Sequence, residues 1–172
     1  PMMRQYLEIK EQNKDCLLFF RLGDFYEMFF EDAETASREL EITLTGKDCG
    51  REERAPMCGV PYHAAEGYIQ RLIEKGYKVA ICEQLEDPSQ AKGIVERGIV
   101  RIITPGTVAD GAMLKENEDS YILSLCMQDG RYGAAYADVS TGKFFVEEGE
   151  QASLNNLLAR VAPKEILYDR EN

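Results

Sequence analysis

Histidine and tryptophan are nearly absent from this sequence. Its 172 residues contain no tryptophan and a single histidine, His63. A histidine-based metal site needs further ligands at suitable spacing, and a catalytic triad needs an activated serine or cysteine beside the histidine. Neither set accompanies His63 in the sequence. We therefore expect His63 to have a structural role beside the Pro-Tyr pair that precedes it.

Paired cysteines and long apolar runs are also lacking. The five cysteines are widely spaced and include no C-x-x-C pair, which is typical of reduced thiols rather than of a disulfide framework or a zinc site. No apolar run approaches the roughly 18 residues that a membrane-spanning helix needs. The chain starts at Pro1 with no secretion signal. We expect a piece of a longer cytoplasmic protein with no membrane contact.

Positive charge is scarce. Lys and Arg number 20 against 31 Asp and Glu, for a formal net charge of −11. Non-specific nucleic-acid affinity comes from neutralising phosphates with Lys and Arg, so this balance excludes a generic polyanion binder. Contact with nucleic acid would need a local patch and help from other parts of the protein. No G-x-x-x-x-G-K-[ST] loop is present to cradle ATP phosphates. The sequence therefore predicts no catalytic residue, cofactor site or metal ligand in this chain.

Apolar periodicity predicts that residues 1–108 form one domain of mixed helices and strands. The predicted helices cover 2–13, 25–40 and the stretch between Pro61 and Gly76. The predicted strands cover 16–22, 55–60, 77–82 and 99–104, with an exposed loop or hairpin tip at 46–54. Because there is no strict βαβ repeat, we predict an α+β (mixed α/β) class with a mixed sheet.

Residues 109–119 lack apolar periodicity and carry several charges, which predicts a linker. Three strands follow in residues 120–172 in hairpin order, with turns at Asp129-Gly130 and Thr141-Gly142. A helix at 151–161 and a strand at 165–168 complete a β-β-β-α-β order. That order begins a ribonuclease-H-like sheet, so we expect the first half of such a domain.

The stretch GDFYEMFFEDA at 23–33 combines a turn with an aromatic residue that the predicted helix does not bury. Asp24 suits an N-cap, and Glu27 stands where a capping-box carboxylate would lie. Phe25 falls off the apolar stripe of the helix predicted over 25–40. Phe25 is then either a core aromatic or a ring that can stack between base steps of a duplex. Glu27 is either a cap or a carboxylate that accepts a hydrogen bond from a base and penalises sites lacking the donor.

This stretch resembles the mismatch-recognition motif of the MutS family of bacterial DNA mismatch-repair proteins, in which Phe-x-Glu follows a Gly-Asp turn. Further stretches resemble family elements in the same order along the chain. They are PMMRQYL at 1–7, MCGVPYH at 57–63, VAICEQ at 79–84, VRIITPGT at 100–107 and, at the start of the family's connector domain, ADVSTG at 137–142. Several ordered motifs are far more specific than any one of them.

The resemblance implies a mismatch-recognition domain over 1–108 and a truncated connector domain over 120–172. It implies that Phe25 wedges beside a mispaired base and stacks on it in a kinked duplex, while Glu27 hydrogen-bonds that base. Arg97, in the loop KGIVER, matches a family position near the DNA backbone, and Lys47 is a second candidate. A solvated surface charge remains the alternative for both.

For the full-length protein, the resemblance implies a homodimeric, DNA-dependent ATPase that uses ATP and Mg and binds a downstream repair partner. Two other functions stay open. Residues 120–172 fit a protein-interaction module that relays to repair partners, with no direct DNA binding by this piece. Asp138, on a predicted ribonuclease-H-like strand, invites a nuclease interpretation, although one carboxylate cannot hold two metal ions.

Overall fold

A computed structural model describes residues 2–49, 54–86, 93–108 and 119–169. By its contacts the chain divides into two compact units, Pro1–Ile103 and Thr104–Asn172. The domain limits of 1–108, 109–119 and 120–172 stay a prediction, and most of the predicted linker lies outside the described residues. Both units combine helices with a mixed sheet, which confirms the predicted α+β (mixed α/β) class.

The described part of the first unit alternates helices with the strands of one sheet. Its elements are α1 (Met2–Glu11), β1 (Cys16–Leu22), β2 (Phe25–Phe29), α2 (Phe30–Leu40), β3 (Thr45–Lys47), β4 (Ala55–Pro61), a 3-10 helix (Tyr62–Ala64), α3 (Ala65–Glu74), β5 (Lys78–Gln84) and β6 (Arg97–Ile103). The six strands lie in the order β3-β4-β2-β1-β5-β6. The β1–β5 pair is parallel, and the other pairs are antiparallel.

The predicted helix over 25–40 is wrong in its first third. Residues Phe25–Phe29 form β2, an antiparallel partner of β1, and the helix begins only at Phe30. Gly23 has φ +57 and starts a two-residue turn, as in the type II′ turns that join hairpin strands. Asp24 therefore lies in a turn and is no N-cap. Glu27 lies within a strand, so there is no capping box.

One face of this sheet packs against α1. The ring of Tyr6 meets the rings of Phe20 and Phe29 edge-on, with centroids 5.4 and 4.9 Å apart. Helices α2 and α3 pack on the opposite side, where Met28 and Val60 are buried. Burial of large apolar side chains on both faces accounts for the tight positioning of β1 and β2 at the centre of the sheet.

The junction between β2 and α2 depends on one carboxylate. The pairing of β2 with β1 ends at Glu27, opposite Phe20, and Phe30 takes a left-handed backbone conformation, φ +53, where the helix begins. Asp32 Oδ2 then accepts hydrogen bonds from Leu18 N (3.0 Å) and Tyr6 Oη (3.2 Å), and Oδ1 lies 2.9 Å from Lys10 Nζ. The side chain of Asp32 thus satisfies a β1 amide that β2 no longer reaches.

The second unit confirms the predicted β-β-β-α-β order within its described residues. Its elements are β7 (Tyr121–Gln128), β8 (Arg131–Asp138), β9 (Lys143–Glu150), a 3-10 helix (Gln151–Ser153), α4 (Leu154–Val161) and β10 (Glu165–Tyr168). The sheet order is β10-β7-β8-β9, with β10 parallel to β7. Both Asp129 and Gly130 have positive φ, as the predicted hairpin turn requires. Helix α4 packs on the face that carries Leu123 and Tyr136.

Candidate nucleic-acid interface

Phe25 is the first residue of β2 and is held by strands on both sides. It pairs with Leu22 of β1 and with Pro61 of β4, and Tyr62 N donates to Asp24 O at 2.9 Å just beyond the pair. The Phe25 side chain is nonetheless 46% exposed. A large ring is therefore presented to solvent from a backbone that neighbouring strands hold in place, which suits a group that must be positioned accurately.

Phe25 and Glu27 lie on the same face of the sheet because side chains alternate along a strand. The intervening Tyr26 points to the opposite face and is buried. Residues two apart on a strand are about 7 Å apart. The strand thus explains the Phe-x-Glu spacing better than the helix predicted from the sequence, where two such side chains do not face the same way.

The neighbour of Glu27 on β4 has no side chain. Glu27 is paired with Gly59, and a Cβ added to Gly59 would lie 3.5 Å from Glu27 Cγ and 3.2 Å from Tyr26 O. A side chain at this position would be tight against the Tyr26 carbonyl and in ordinary contact with Glu27 Cγ. The Glu27 side chain itself is 17% exposed.

Lys47 reaches Glu27 from β3, although β4 lies between β3 and β2. Lys47 Nζ is 2.5 Å from Glu27 Oε2 and 5.5 Å from the centroid of the Phe29 ring. The structure therefore brings together three of the residues singled out in the sequence: an exposed ring, a carboxylate beside it, and an ammonium group bound to that carboxylate.

Arg97 is placed differently, at the start of β6. Its Nε donates to Arg21 O at 2.8 Å, and one terminal nitrogen donates to Gln5 Oε1 at 3.1 Å and Val95 O at 2.9 Å. The guanidinium also lies 5.1 Å from the Phe20 ring centroid. Burial lowers the pKa of Arg97 from its ordinary value. Arg97 connects α1, β1 and the residues before β6, and its contact with the DNA backbone remains a prediction.

Sequence reasoning missed a cluster that supports the turn before Phe25. The Arg21 guanidinium carbon lies 3.6 Å from the centroid of the Tyr62 ring, and Arg21 Nε donates to Gly23 O at 2.5 Å. On the same side of the sheet, Tyr26 Oη donates to the Glu83 carboxylate. Burial, together with this bond, raises the pKa of Tyr26 to about 12. The members lie on separate elements, so no local pattern could have predicted the cluster.

Asp138 and His63, also singled out in the sequence, differ in their burial. Asp138 is buried and accepts hydrogen bonds from Ser120 N, Thr141 N, and both the amide and hydroxyl of Ser140. His63 is exposed, and its ring stands edge-on to the neighbouring tyrosine.

Within the described ranges, no group of three or more His, Cys, Asp or Glu side chains could hold a metal ion. None of the described helices is long and apolar enough to cross a membrane.

Comparison with known proteins gives matches across nearly all of the chain. The family model described as MutS domain I matches residues 1–112, and that described as MutS domain II matches residues 120–171. Among similar curated proteins is the DNA mismatch repair protein MutS of Clostridium novyi, 62% identical over 170 residues that cover 97% of this chain and 19% of the relative.

The protein of the same name from Acetivibrio thermocellus is 61% identical over 175 residues, covering 99% of this chain and 20% of the relative. That of Clostridium botulinum is 60% identical over 171 residues, covering 98% and 18%. The chain thus spans about a fifth of the length of the curated relatives it matches. Because the domain I model alone matches more than half of its residues, and the domain II model matches most of the rest, the chain belongs to the MutS family.

Proposed function

We propose that this chain recognises mismatched double-stranded DNA as the reading part of a longer cytoplasmic mismatch-repair protein. Its relatives are named for DNA mismatch repair. The observation that carries the proposal is the half-exposed ring of Phe25 at the end of a paired strand, with Glu27 on the same face.

Phe25 acts as a wedge in this proposal. Inserting an apolar ring between base steps kinks the duplex and costs a few kcal/mol of unstacking. A mispair already weakens stacking locally, so the same kink costs less there than in matched DNA. The ring then stacks on the mispaired base. Discrimination arises from this difference in deformation energy, and the hairpin backbone of β1 and β2 keeps the ring from retreating.

Glu27 acts as the reader of the base beside the wedge. A carboxylate close to DNA is normally repelled by the phosphates, and it is tolerated where it takes a hydrogen bond from a base. Sites that lack an available donor are penalised because a carboxylate oxygen taken out of water is left without a hydrogen bond. The exposed part of the Glu27 side chain, 17%, lies on the sheet face that carries Phe25, which supports this role.

The remaining parts of the proposal concern affinity and the longer protein. In this proposal Arg97 lies near the DNA backbone and Lys47 lies beside Glu27, but a net charge of −11 requires further DNA contacts from outside the chain. By family resemblance, the longer protein is a homodimeric ATPase that uses ATP and Mg and engages a downstream repair partner. This chain contributes recognition and no catalytic step.

Replacing Phe25 with alanine in the longer protein tests the wedge. Stacking of a base on an aromatic ring contributes about 1–3 kcal/mol, so affinity for a duplex with one unpaired thymine should fall about tenfold. Affinity for the fully paired duplex should change much less. Fluorescence anisotropy with both duplexes measures the ratio. Phe144→Ala is the matched control, since Phe144 is 65% exposed but lies in the second unit. An unchanged ratio in Phe25→Ala would refute the wedge.

A second function is supported by the edge strand β9. Among the described strands of its sheet β9 lies at the edge, and Phe144 and Val146 are exposed on it. Large exposed apolar side chains at a sheet edge favour protein contacts. The second unit would then relay between the reader and repair partners. Titrating the chain with a short mismatched duplex at low and moderate salt separates the two functions, because a pure interaction module leaves the duplex unbound at both.

A further inference from the structure

The pairing of Glu27 with Lys47 gives the proposed reader a fixed electrostatic partner. The ammonium and carboxylate are 2.5 Å apart, and their side chains are only 31% and 17% exposed. Exposed ion pairs are loosely held and strongly screened by salt, whereas a pair shielded to this degree keeps a defined geometry. Lys47 thereby orients one carboxylate oxygen, Oε2, and leaves Oε1 for another donor.

The position of the ammonium group is fixed by a second neighbour. Lys47 Nζ lies 5.5 Å from the ring centroid of Phe29, which is itself buried and packed against Tyr6. Attraction between an ammonium group and an aromatic face adds to the ion pair where both are partly desolvated. The charge of Lys47 is thus attracted toward the sheet surface from two directions.

These contacts lead to a choice between two roles for one lysine. Removing a lysine that neutralises a phosphate weakens binding about equally for all DNA sequences. It also reduces the slope of log affinity against log salt by about one. A lysine that orients a base-reading carboxylate changes discrimination instead. We infer that Lys47 is a positioning residue: it acts on mismatch specificity through Glu27, and its charge stays with that carboxylate when DNA is bound. This inference rests on the proposed reader role of Glu27.

The inference also explains how a carboxylate can approach a polyanion. Paired with Lys47, Glu27 presents a nearly neutral group to the DNA, yet Oε1 remains an acceptor for a base donor. Without the lysine, the carboxylate would turn toward solvent and would repel the backbone. The bond to the mispaired base would then be lost, and the advantage of mismatched over matched DNA would fall.

A double-mutant cycle in the longer protein tests this inference. The variants are Glu27→Gln, Lys47→Gln and the double substitution, with affinities for a mismatched and a matched duplex measured at several salt concentrations. Glu27→Gln should lower the discrimination ratio by raising affinity for the matched duplex. Lys47→Gln should also lower the ratio, by about fivefold, and the double variant should be no worse than Glu27→Gln alone. Lys47→Arg should restore the ratio.

Lys75→Gln is the matched control. Lys75, just after α3, forms an ion pair with Glu39 of α2, 3.1 Å apart, and its loss should leave the ratio unchanged. Melting temperatures of all variants show whether a lost ratio reflects only a weakened fold.

Each outcome of the cycle decides one point. If Glu27→Gln lowers the ratio but Lys47→Gln keeps it, and the slope of log affinity against log salt falls by about 0.9, then Lys47 binds phosphate and the inference is wrong while the reader survives. If the discrimination ratio of the double variant is lower than that of Glu27→Gln alone, the two residues act independently and the inference is likewise wrong. If Glu27→Gln itself keeps the ratio, the reader role fails and the inference fails with it.

Discussion

Phe25 and Glu27 owe their common orientation to strand geometry. The Gly-Asp turn reverses the chain, and β2 then places alternate residues on opposite faces. Tyr26, between them, is buried on the other side and bonded to Glu83. A two-residue spacing on a strand can therefore serve recognition on one face and stability on the other. Tyr26 can stay buried while Phe25, next to it in the chain, is exposed.

Asp138 is a residue whose charge stabilises the fold. Burial by itself would raise the pKa of its carboxyl, but hydrogen bonds from the Ser140 hydroxyl and from the amides of Ser120, Thr141 and Ser140 outweigh burial and lower it. A carboxyl with a lowered pKa contributes stability that is present above its unfolded value, near 4, and is lost as pH falls through its folded value.

Asp138→Asn should therefore destabilise the chain by about 2 kcal/mol at pH 7, because the amides lose a charged acceptor. The difference in free energy of unfolding between Asp138→Asn and the unsubstituted chain should shrink as pH falls below about 4. Urea unfolding at several pH values measures both effects. Asp129→Asn makes the same chemical change in an exposed turn where asparagine suits the positive φ, so it should be nearly neutral. A pH-independent difference for Asp138→Asn would contradict the assigned role.

At the scale of elements, the decisive junction is the one between β2 and α2. The strand must end at Phe29 so that the helix can return over the sheet, and Phe30 makes the bend with a left-handed backbone. The last pair of β2 with β1 is Glu27 with Phe20, and the amide of Leu18 farther along β1 donates to Asp32 instead. The same carboxylate bonds Tyr6 and Lys10 of α1, so the junction joins three elements.

Removing the charge of Asp32 should weaken this junction. Asp32→Asn loses the attraction to Lys10 and weakens bonds made in a buried site, so the free energy of unfolding should fall by about 3 kcal/mol. Chemical denaturation of the chain measures it. Glu31→Gln is the matched control because Glu31 is an exposed neighbour in the same helical turn. Equal stability of the two variants would show that the Asp32 bonds contribute little.

At the scale of the whole molecule, charge opposes the proposed recognition. The chain carries a net charge of −11, and several of its cations are held by internal carboxylates, including Lys10, Lys47 and Lys75. Under the proposed function, discrimination and affinity come from different parts of the longer protein. A small acidic reader of this kind would limit binding to matched DNA, which is useful when mispairs are rare among paired bases.

The isolated chain should accordingly bind DNA weakly. At about 150 mM salt we expect a dissociation constant above about 1 µM for a mismatched duplex, because few phosphates are neutralised. Fluorescence anisotropy against a labelled duplex measures it, with a chain carrying Phe25→Ala as the comparison. Nanomolar binding at this salt concentration would contradict the argument from charge.

Local patterns were sufficient for many elements. The apolar run of β1, the Asp129-Gly130 hairpin and the β-β-β-α-β order follow from near-neighbour propensities, and the structure confirms them. The ordered motifs were likewise enough to identify the family, which the matches to its domains I and II confirm. The net charge, from which the proposed function derives a need for further DNA contacts, is also a property of composition alone.

Tertiary structure decided what surrounds the two central residues. The spacing of Tyr26, Phe29 and Phe30 satisfied a helical pattern, yet pairing with β1 and β4 makes Phe25–Phe29 a strand, and the helix begins only at Phe30. Glu27 and Lys47 meet because β3 and β2 both flank β4, an arrangement that no local pattern encodes. Hydrophobic periodicity reports which residues are buried, whereas the partner of a charged side chain is set by which strands lie side by side. The sequence alone therefore singled out Phe25 and Glu27 as candidate residues, and only the folded sheet showed that Lys47 is bound to Glu27.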